Sequence, residues 1–230
     1  MKNSDMSSFG NLSVKGMGQA YGGQYRHVVI DGLARVSGNV QCETFRLNGM
    51  SRMNGSIDTD QMTINGVMNG KASIIAKRVN IDGKVNVRGS LVSDEIVLHG
   101  LLNLEGDCEA EQVIVRGGFG IAGLLNAGTI EVDLHGRCKA GEMGGSTIRV
   151  TRSRSSRASR LLSRIIPAFE PQLQAGVIEG DDVHLEATRA SVVRGRRVYI
   201  GPGCEVDRVE YELELVVDHA AQVRETVKQQ

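Results

Sequence analysis

A repeat of seventeen residues runs through the first two thirds of the chain. Six glycines are spaced seventeen residues apart, and each of them closes a short phrase of alternating apolar residues. These glycines are Gly32, Gly49, Gly66, Gly83, Gly100 and Gly117. A short fixed period is typical of solenoids, in which each repeat buries its apolar face only by stacking on its neighbours. The repeat therefore constrains the fold more than any other feature of the sequence.

Each phrase has the alternation of a β-strand. Two apolar residues lie two positions apart, as do Val28 and Ile30 or Met62 and Ile64, and residues with that spacing share one strand face. Seventeen residues accommodate one coil of three short strands, and successive coils then pair in parallel about 4.8 Å apart. The repeat predicts an all-β fold, a single-stranded parallel β-helix of about nine coils. Asp-Gly and Asn-Gly pairs predict corners at which glycine adopts positive φ.

Composition fits a thin core and excludes several classes of protein. The chain has 29 glycines, 3% aromatic residues and no tryptophan. Its formal net charge is zero, so nucleic acid is not expected as a partner of the chain as a whole. It has neither a run of about eighteen apolar residues nor the apolar segment of a secretory signal. Four cysteines without a CxxC pair fit a reducing compartment, and we expect a cytoplasmic protein.

The repeat and its interruptions predict five segments. The first segment is polar and glycine-rich, and the third matches no coil and contains two of the three prolines. Asp218 is predicted to cap a helix that covers the end of the solenoid. The segments are a flexible N-terminal tail at 1–26, a β-helix core at 27–150, an Arg-rich insertion loop at 151–175, a β-helix continuation at 176–217 and a short C-terminal helix or tail at 218–230.

The sequence contains no recognisable chemical site. Its five histidines share no metal-ligand spacing, and His99 replaces the Asx residue of a turn, where we expect a solvated side chain. The glycine-rich stretches precede neither a helix nor a Lys-Ser/Thr pair, as a phosphate loop requires. We therefore predict no catalytic, metal-binding or cofactor-binding residue.

One local charge feature is pronounced. Six arginines lie between Arg149 and Arg164, with no acid between Glu142 and Glu170, and apolar residues follow at the same place. Three interpretations stay open, namely a solvated loop, contact with a membrane surface, and binding of nucleic acid. The membrane interpretation predicts contact through Arg157, Arg160, Leu161, Leu162, Arg164, Ile165, Ile166 and Phe169.

The stacked phrases over 28–150 and the ending VVRGRRVYIGPGCEVDRVEYELEL resemble the bactofilins of Gram-positive species. The resemblance covers residues 28–217. It implies a right-handed β-helix that polymerises end to end without nucleotide, often beside the inner membrane, and supports cell shape, envelope or motility and flagellar functions. The partners that it implies are further copies of the chain, the membrane surface and other scaffold or envelope proteins. The insertion at 151–175 and the tail after residue 217 depart from the family and could block or redirect assembly.

Polymerisation also follows from the predicted fold. An open coil exposes unpaired backbone groups and a cross-section of apolar core, which together recruit another strand. We predict a polymer interface made by Val28, Ile30, Val36 and Val40 at one end of the solenoid and by Val198, Ile200, Val206 and Val209 at the other.

Two other classes of protein use a similar fold. Left-handed β-helix acyltransferases and γ-type carbonic anhydrases have hexapeptide-based coils of about eighteen residues and place catalytic histidines between subunits. The seventeen-residue coil and the absence of clustered histidines argue against such an enzyme. A β-helical regulator that binds another filament is the second alternative.

Overall fold

The computed structural model describes residues 9–153 and 171–229, which form β-strands joined by short turns. The chain divides into two units, Met1–Ala110 and Glu111–Gln230, and in each of them consecutive coils pair in parallel. The prediction of an all-β parallel β-helix is confirmed. Its right-handed sense stays a prediction.

Unit 1 alternates long and short strands along each coil. The long strands pair with one another one coil apart, and the short strands do the same, except that the first strand, Leu12–Leu47, also pairs with the short strand Met50–Met53. Its strands are β1 Leu12–Leu47, β2 Met50–Met53, β3 Ile57–Ile64, β4 Val67–Gly70, β5 Ile74–Ile81, β6 Lys84–Val87, β7 Leu91–Leu98 and β8 Leu101–Leu104, and β9 Cys108–Val115 spans the unit boundary.

Each long strand turns a corner, so that a coil has three sides. In β3, Ile57 and Thr59 point inward, two exposed residues follow at 60–61, and Met62 and Ile64 point inward again. The break in the alternation marks the corner. The short strand β4 supplies the third side, on which Met68 is buried.

The predicted apolar columns form the core of unit 1. The pairing register places Phe45 on Met62 and Leu47 on Ile64, and all four side chains are buried. Polar side chains stack in the same register outside the core. At one corner Asn48 donates to the Asp31 carboxylate at 2.6 Å, and Asn65 donates to Asn48 at 2.9 Å. The period therefore aligns both the inside and the outside of the stack.

The reason for glycine at these corners differs from the sequence prediction. Positive φ among glycines occurs at Gly16, Gly23, Gly38 and Gly203, and not at the predicted turn glycines from Gly32 to Gly100. A Cβ on each of those turn glycines would instead overlap the backbone of the glycine one coil below, as that of Gly83 would overlap the carbonyl oxygen of Gly66. Close approach of two backbones, and not a left-handed conformation, requires glycine there.

Unit 2 is built from longer strands in the same parallel pattern. Its strands are β10 Gly118–Leu134, β11 Arg137–Arg152, β12 Gln172–Leu185, β13 Thr188–Ile200, β14 Glu205–Val217 and β15 Gln222–Lys228. Strands β11 and β12 pair directly, with Arg137 opposite Gln172 and Val150 opposite Leu185. Of the predicted insertion at 151–175, residues 151–152 thus belong to strand β11 and residues 172–175 to strand β12. Residues 154–170 lie outside the described part of the chain.

The predicted C-terminal helix is wrong. Residues 222–228 form strand β15, in which Val223 pairs with Val206 and Thr226 with Val209. The Asp218 carboxylate does accept a hydrogen bond, from the Ala220 amide at 2.8 Å, but it closes a turn instead of starting a helix. Val223 and Val227 have helical spacing, yet the segment pairs with β14 and continues the seventeen-residue register.

The N-terminal segment also differs from its prediction as a tail. Strand β1 begins at Leu12, so residues 12–26 are strand, and Arg26 donates its amide to the carbonyl of Gly10 at 3.0 Å. Gly16 lies against Gly32. The chain from 10 to 26 therefore forms one further coil, although its glycines and glutamines obscure the repeat.

Candidate assembly interface

The described residues hold no evident centre for catalysis. In residues 9–153 and 171–229, no group of three or more His, Cys, Asp or Glu side chains could hold a metal ion. His99 lies on an exposed corner with its ring nitrogen 2.9 Å from the Asp82 carboxylate. An open groove of about 1010 Å³ in unit 2 is lined partly by Arg194 and Arg196, and both guanidiniums already pair with glutamates. The two guanidiniums that line this groove are therefore already engaged in ion pairs.

The four cysteines are buried and chemically quiet. Burial raises the pKa of the Cys108 and Cys138 thiols to about 12, and that of the Cys42 and Cys204 thiols to about 11. A thiol is nucleophilic only as the thiolate, so these side chains stay protonated at neutral pH. Their role is to fill inward positions of the core.

An ion-pair ladder crosses the coils of unit 2. Arg194 lies 3.4 Å from Glu179 and 2.9 Å from Glu210, and Arg208 lies 2.7 Å from Glu210 and 3.3 Å from Glu225. The hydrogen bond from Arg194 holds the pKa of Glu210 below its ordinary value. Exposed pairs of this kind contribute little stability singly. Their alternation of sign instead keeps like charges apart in neighbouring coils.

Unit 1 ends in a coil with a free strand edge. We call residues 10–26 the N-terminal coil. Its side chains reach the next coil, with Gln24 donating to Gln41 at 2.9 Å and Arg26 lying 3.3 Å from Glu43. Its inward residues include Val14 and Ala20, both buried. Among the described residues no strand pairs with its other edge.

Unit 2 ends in a second free edge, which is more apolar. We call residues 212–228 the C-terminal coil. Residues 214–217 pair with 197–200 on β13, and β15 pairs with 205–211, but within the described residues neither has a partner on the other side. Leu213, Val216 and Val217 are 55%, 43% and 41% exposed. The C-terminal coil therefore combines unpaired backbone groups with exposed aliphatic side chains.

The residues predicted to form the polymer interface are not at these edges. Val28, Ile30, Val36 and Val40, like Val198, Ile200, Val206 and Val209, are at most 2% exposed. The N-terminal coil lies against the first set, and the C-terminal coil covers the second. These residues therefore lie one coil inside each free edge, and neither terminal coil was recognised as a coil from the sequence.

The residues predicted to contact a membrane, from Arg157 to Phe169, lie outside the described residues. In the part of the chain that the structure does describe, no helix is both long and apolar enough to cross a membrane.

The family comparison agrees with the architecture of unit 1. Residues 22–109 match the model of the family described as "Bactofilin: Polymer-forming cytoskeletal". We call residues 22–109, which match this model, the bactofilin region. That region occupies most of unit 1, which ends at Ala110.

Two proteins of Bacillus subtilis (strain 168) are similar to part of the chain. The uncharacterized protein YhbF is 45% identical over 107 residues, which are 46% of this chain and 42% of YhbF. The uncharacterized protein YhbE is 38% identical over 109 residues, 47% of this chain and 44% of YhbE. The matches thus span less than half the length of either relative. No solved structure matches the chain significantly.

The bactofilin region contains the regular coils and only part of the free edges. It begins at residue 22, inside the N-terminal coil, and ends at residue 109, before unit 2 begins. The C-terminal coil therefore lies beyond the matched region. Its edge has to be interpreted from its own residues and not from the family.

Proposed function

We propose that the chain is a non-enzymatic scaffold protein that assembles with further copies of itself, without nucleotide, through the edges of its terminal coils. The observation that carries this proposal is the C-terminal coil, where unpaired strand backbone coincides with exposed Leu213, Val216 and Val217. An uncovered strand edge recruits another strand. The polymer-forming description of the family that matches the bactofilin region supports the same function.

Burial of the open edge supplies the driving force. Each aliphatic side chain that becomes fully buried contributes about 1.5–3 kcal/mol before the cost of association. Because burial of apolar side chains between the terminal coils of two copies is favourable by itself, assembly requires no nucleotide hydrolysis. In the cell the proposed polymer lies in the cytoplasm beside the inner membrane, with other scaffold or envelope proteins, and supports cell shape, the envelope or motility.

Substitution of Val217 by arginine tests the proposal. Val217→Arg places a charge at the free edge, and we expect the critical concentration for assembly to rise tenfold or more, given about 1.4 kcal/mol for each factor of ten. Val92→Arg is the matched control, because Val92 is also 41% exposed but points outward from strand β7, away from the free edges. Sedimentation and electron microscopy measure assembly, and circular dichroism checks the fold. Unchanged filaments from Val217→Arg, or no filaments from the unsubstituted protein, contradict the proposal.

We separately predict that the Arg-rich segment contacts the membrane surface. Replacement of residues 153–171 by Asn-Gly joins Arg152 to Gln172 with a turn as short as His135–Gly136, which connects β10 to β11. Since β11 and β12 pair directly, we expect unit 2 to keep its fold. Binding to phosphatidylglycerol vesicles should fall severalfold in co-sedimentation at low salt. Equal binding by the two proteins would show that the segment is not the contact.

A further inference from the structure

One side of unit 1 is cationic although the chain as a whole is neutral. This side is built from five stacked short segments that pair in parallel and include β2, β4, β6 and β8. We call it the short-strand side, and it comprises residues 33–37, 50–54, 67–71, 84–88 and 101–105. It carries five bases and one acid, namely Arg35, Arg52, Lys71, Lys84 and Arg88 against Glu105.

Most of these bases have no carboxylate partner. Within the described residues, Arg88 alone among the five forms an ion pair, with Glu105 at 3.8 Å. The remaining four are exposed. The opposite charge lies on the side formed by residues 40–43, 57–60, 74–77, 91–94 and 108–110, which we call the acidic side because it carries five acids and one base. There Lys77 already pairs with Asp60 at 2.7 Å.

A ladder of amides lies in a groove on the short-strand side. Asn86 donates to the Asn69 side chain at 3.0 Å, and Asn103 donates to Asn86 at 2.9 Å. With Arg52 and Lys71 these residues line an open groove of about 350 Å³. Asn86 and Asn103 each use one amide hydrogen in the ladder and keep a second. The groove therefore offers charged and neutral donors along the stacking direction.

An apolar column runs beside the groove. Leu33, Met50 and Leu101 occupy equivalent outward positions in their coils, and each is close to half exposed. Met50 and Arg52 lie two residues apart and share a strand face. The short-strand side thus presents an aliphatic strip parallel to a strip of cations and amides.

The two strips fit an extended acidic peptide. Five segments span about 19 Å in four steps of about 4.8 Å, a length that about six extended residues cover. Successive side chains of such a peptide point in opposite directions, so alternation of acidic and apolar residues places carboxylates on the cations and aliphatic groups on the apolar strip. Single-stranded nucleic acid binds largely by aromatic stacking, and this side has no aromatic residue. A flat bilayer surface does not reach the amides inside a groove.

We propose that the short-strand side of unit 1 is a docking site for an extended segment of another protein in which acidic and apolar residues alternate. The site lies along the coils and not at a free edge, so it goes beyond the proposed self-assembly and does not depend on it. Through this side the scaffold recruits a second protein.

A labelled peptide tests the site. The probe is Ser-Gly-Glu-Leu-Glu-Val-Glu-Leu-Glu-Gly-Ser with an N-terminal fluorescein, added to the full chain at low salt and followed by fluorescence anisotropy. The groove variant combines Arg52→Glu with Lys71→Glu. The control variant combines Arg46→Glu with Arg78→Glu, because both arginines are exposed on long strands of unit 1 and also have no ion pair within the described residues. Circular dichroism checks the fold of both variants.

We expect the groove variant to bind the peptide about tenfold more weakly or worse, and the control variant to lose less than about twofold. Both variants change the net charge equally, so the difference between them reports the groove and not long-range attraction. The same peptide with glutamine in place of glutamate should bind weakly to every protein. Equal losses in the two variants, or no binding by the unsubstituted protein, would overturn the proposal.

Two further outcomes would give the groove a different occupant and also overturn the proposal. One is tighter binding of phosphatidylglycerol vesicles or single-stranded DNA than of the peptide, lost in the groove variant. The other is self-association that only the groove variant abolishes, which would identify the acidic side of a second copy as the occupant. Absence of filaments from the unsubstituted protein would contradict the proposed function and leave the peptide measurement unaffected.

Discussion

Substitution of Gly83 by alanine is expected to unfold part of unit 1 at temperatures at which the unsubstituted protein is folded. The added Cβ would overlap the carbonyl oxygen of Gly66 and lie 2.9 Å from its carbonyl carbon and nitrogen. Because these atoms all belong to the backbone, no flexible side chain can move aside. We expect a loss of about 3 kcal/mol or more, and therefore a fall in melting temperature of roughly 10 °C.

A glycine at the equivalent corner of unit 2 provides the control. Around Gly136 the nearest atom to an added Cβ is the Gly117 carbonyl oxygen at 3.7 Å, an ordinary contact. Gly136→Ala should therefore leave the melting temperature nearly unchanged, or raise it slightly by reducing the entropy of the unfolded chain. Thermal unfolding followed by circular dichroism measures both variants. Equal melting temperatures would show that backbone approach does not set the requirement for glycine.

Substitution of Ile30 by arginine is expected to have a comparable effect for a different reason. Ile30 is fully buried within unit 1, so the variant would place an unpaired charge in the core. Removal of the buried side chain alone costs about 2–5 kcal/mol, and desolvation of the guanidinium adds to that. Any loss of filaments in Ile30→Arg would then follow from unfolding and not from a blocked interface.

Ile75 makes the comparison specific. It is also an isoleucine on a strand of unit 1, but it points outward and is 54% exposed. Ile75→Arg should change the free energy of unfolding by less than about 0.5 kcal/mol. Urea denaturation measures the difference between the two variants. A similar loss of stability in both would contradict the assigned inside and outside of the coil.

The sequence predicted the regular coils because their information is local and repeated. Val28 and Phe45, which occupy the same column, have the same inward environment, so each repeat is independent evidence for the others. The Asx residues at one corner likewise recur at the seventeen-residue spacing, and each hydrogen-bonds to its equivalent in the next coil. Where the columns are apolar and the spacing constant, pattern alone determines strand, side and register.

The terminal coils could not be identified in the same way. Ala20 occupies the inward column of Val36 with little apolar signal, and Gly16 precedes Gly32 by sixteen residues instead of seventeen. Val223 and Val227 fit a helix as well as a strand, and the choice depends on the edge of β14, which no local pattern reveals. The free edge at Val217 was hidden by the same error, because the predicted helix covered it.

Consistent register has an evolutionary consequence for unit 1. From β2 to β8, the eight-residue strands pair with one another and the four-residue strands pair with one another, always seventeen residues apart. Deletion or duplication of seventeen residues between Ile57 and Leu98 therefore rejoins equivalent positions, and every side chain keeps its column. Recombination between neighbouring coils can lengthen or shorten the unit in steps of about 4.8 Å without rebuilding its core. Such a gene can change the length of its product while keeping the structure of both ends.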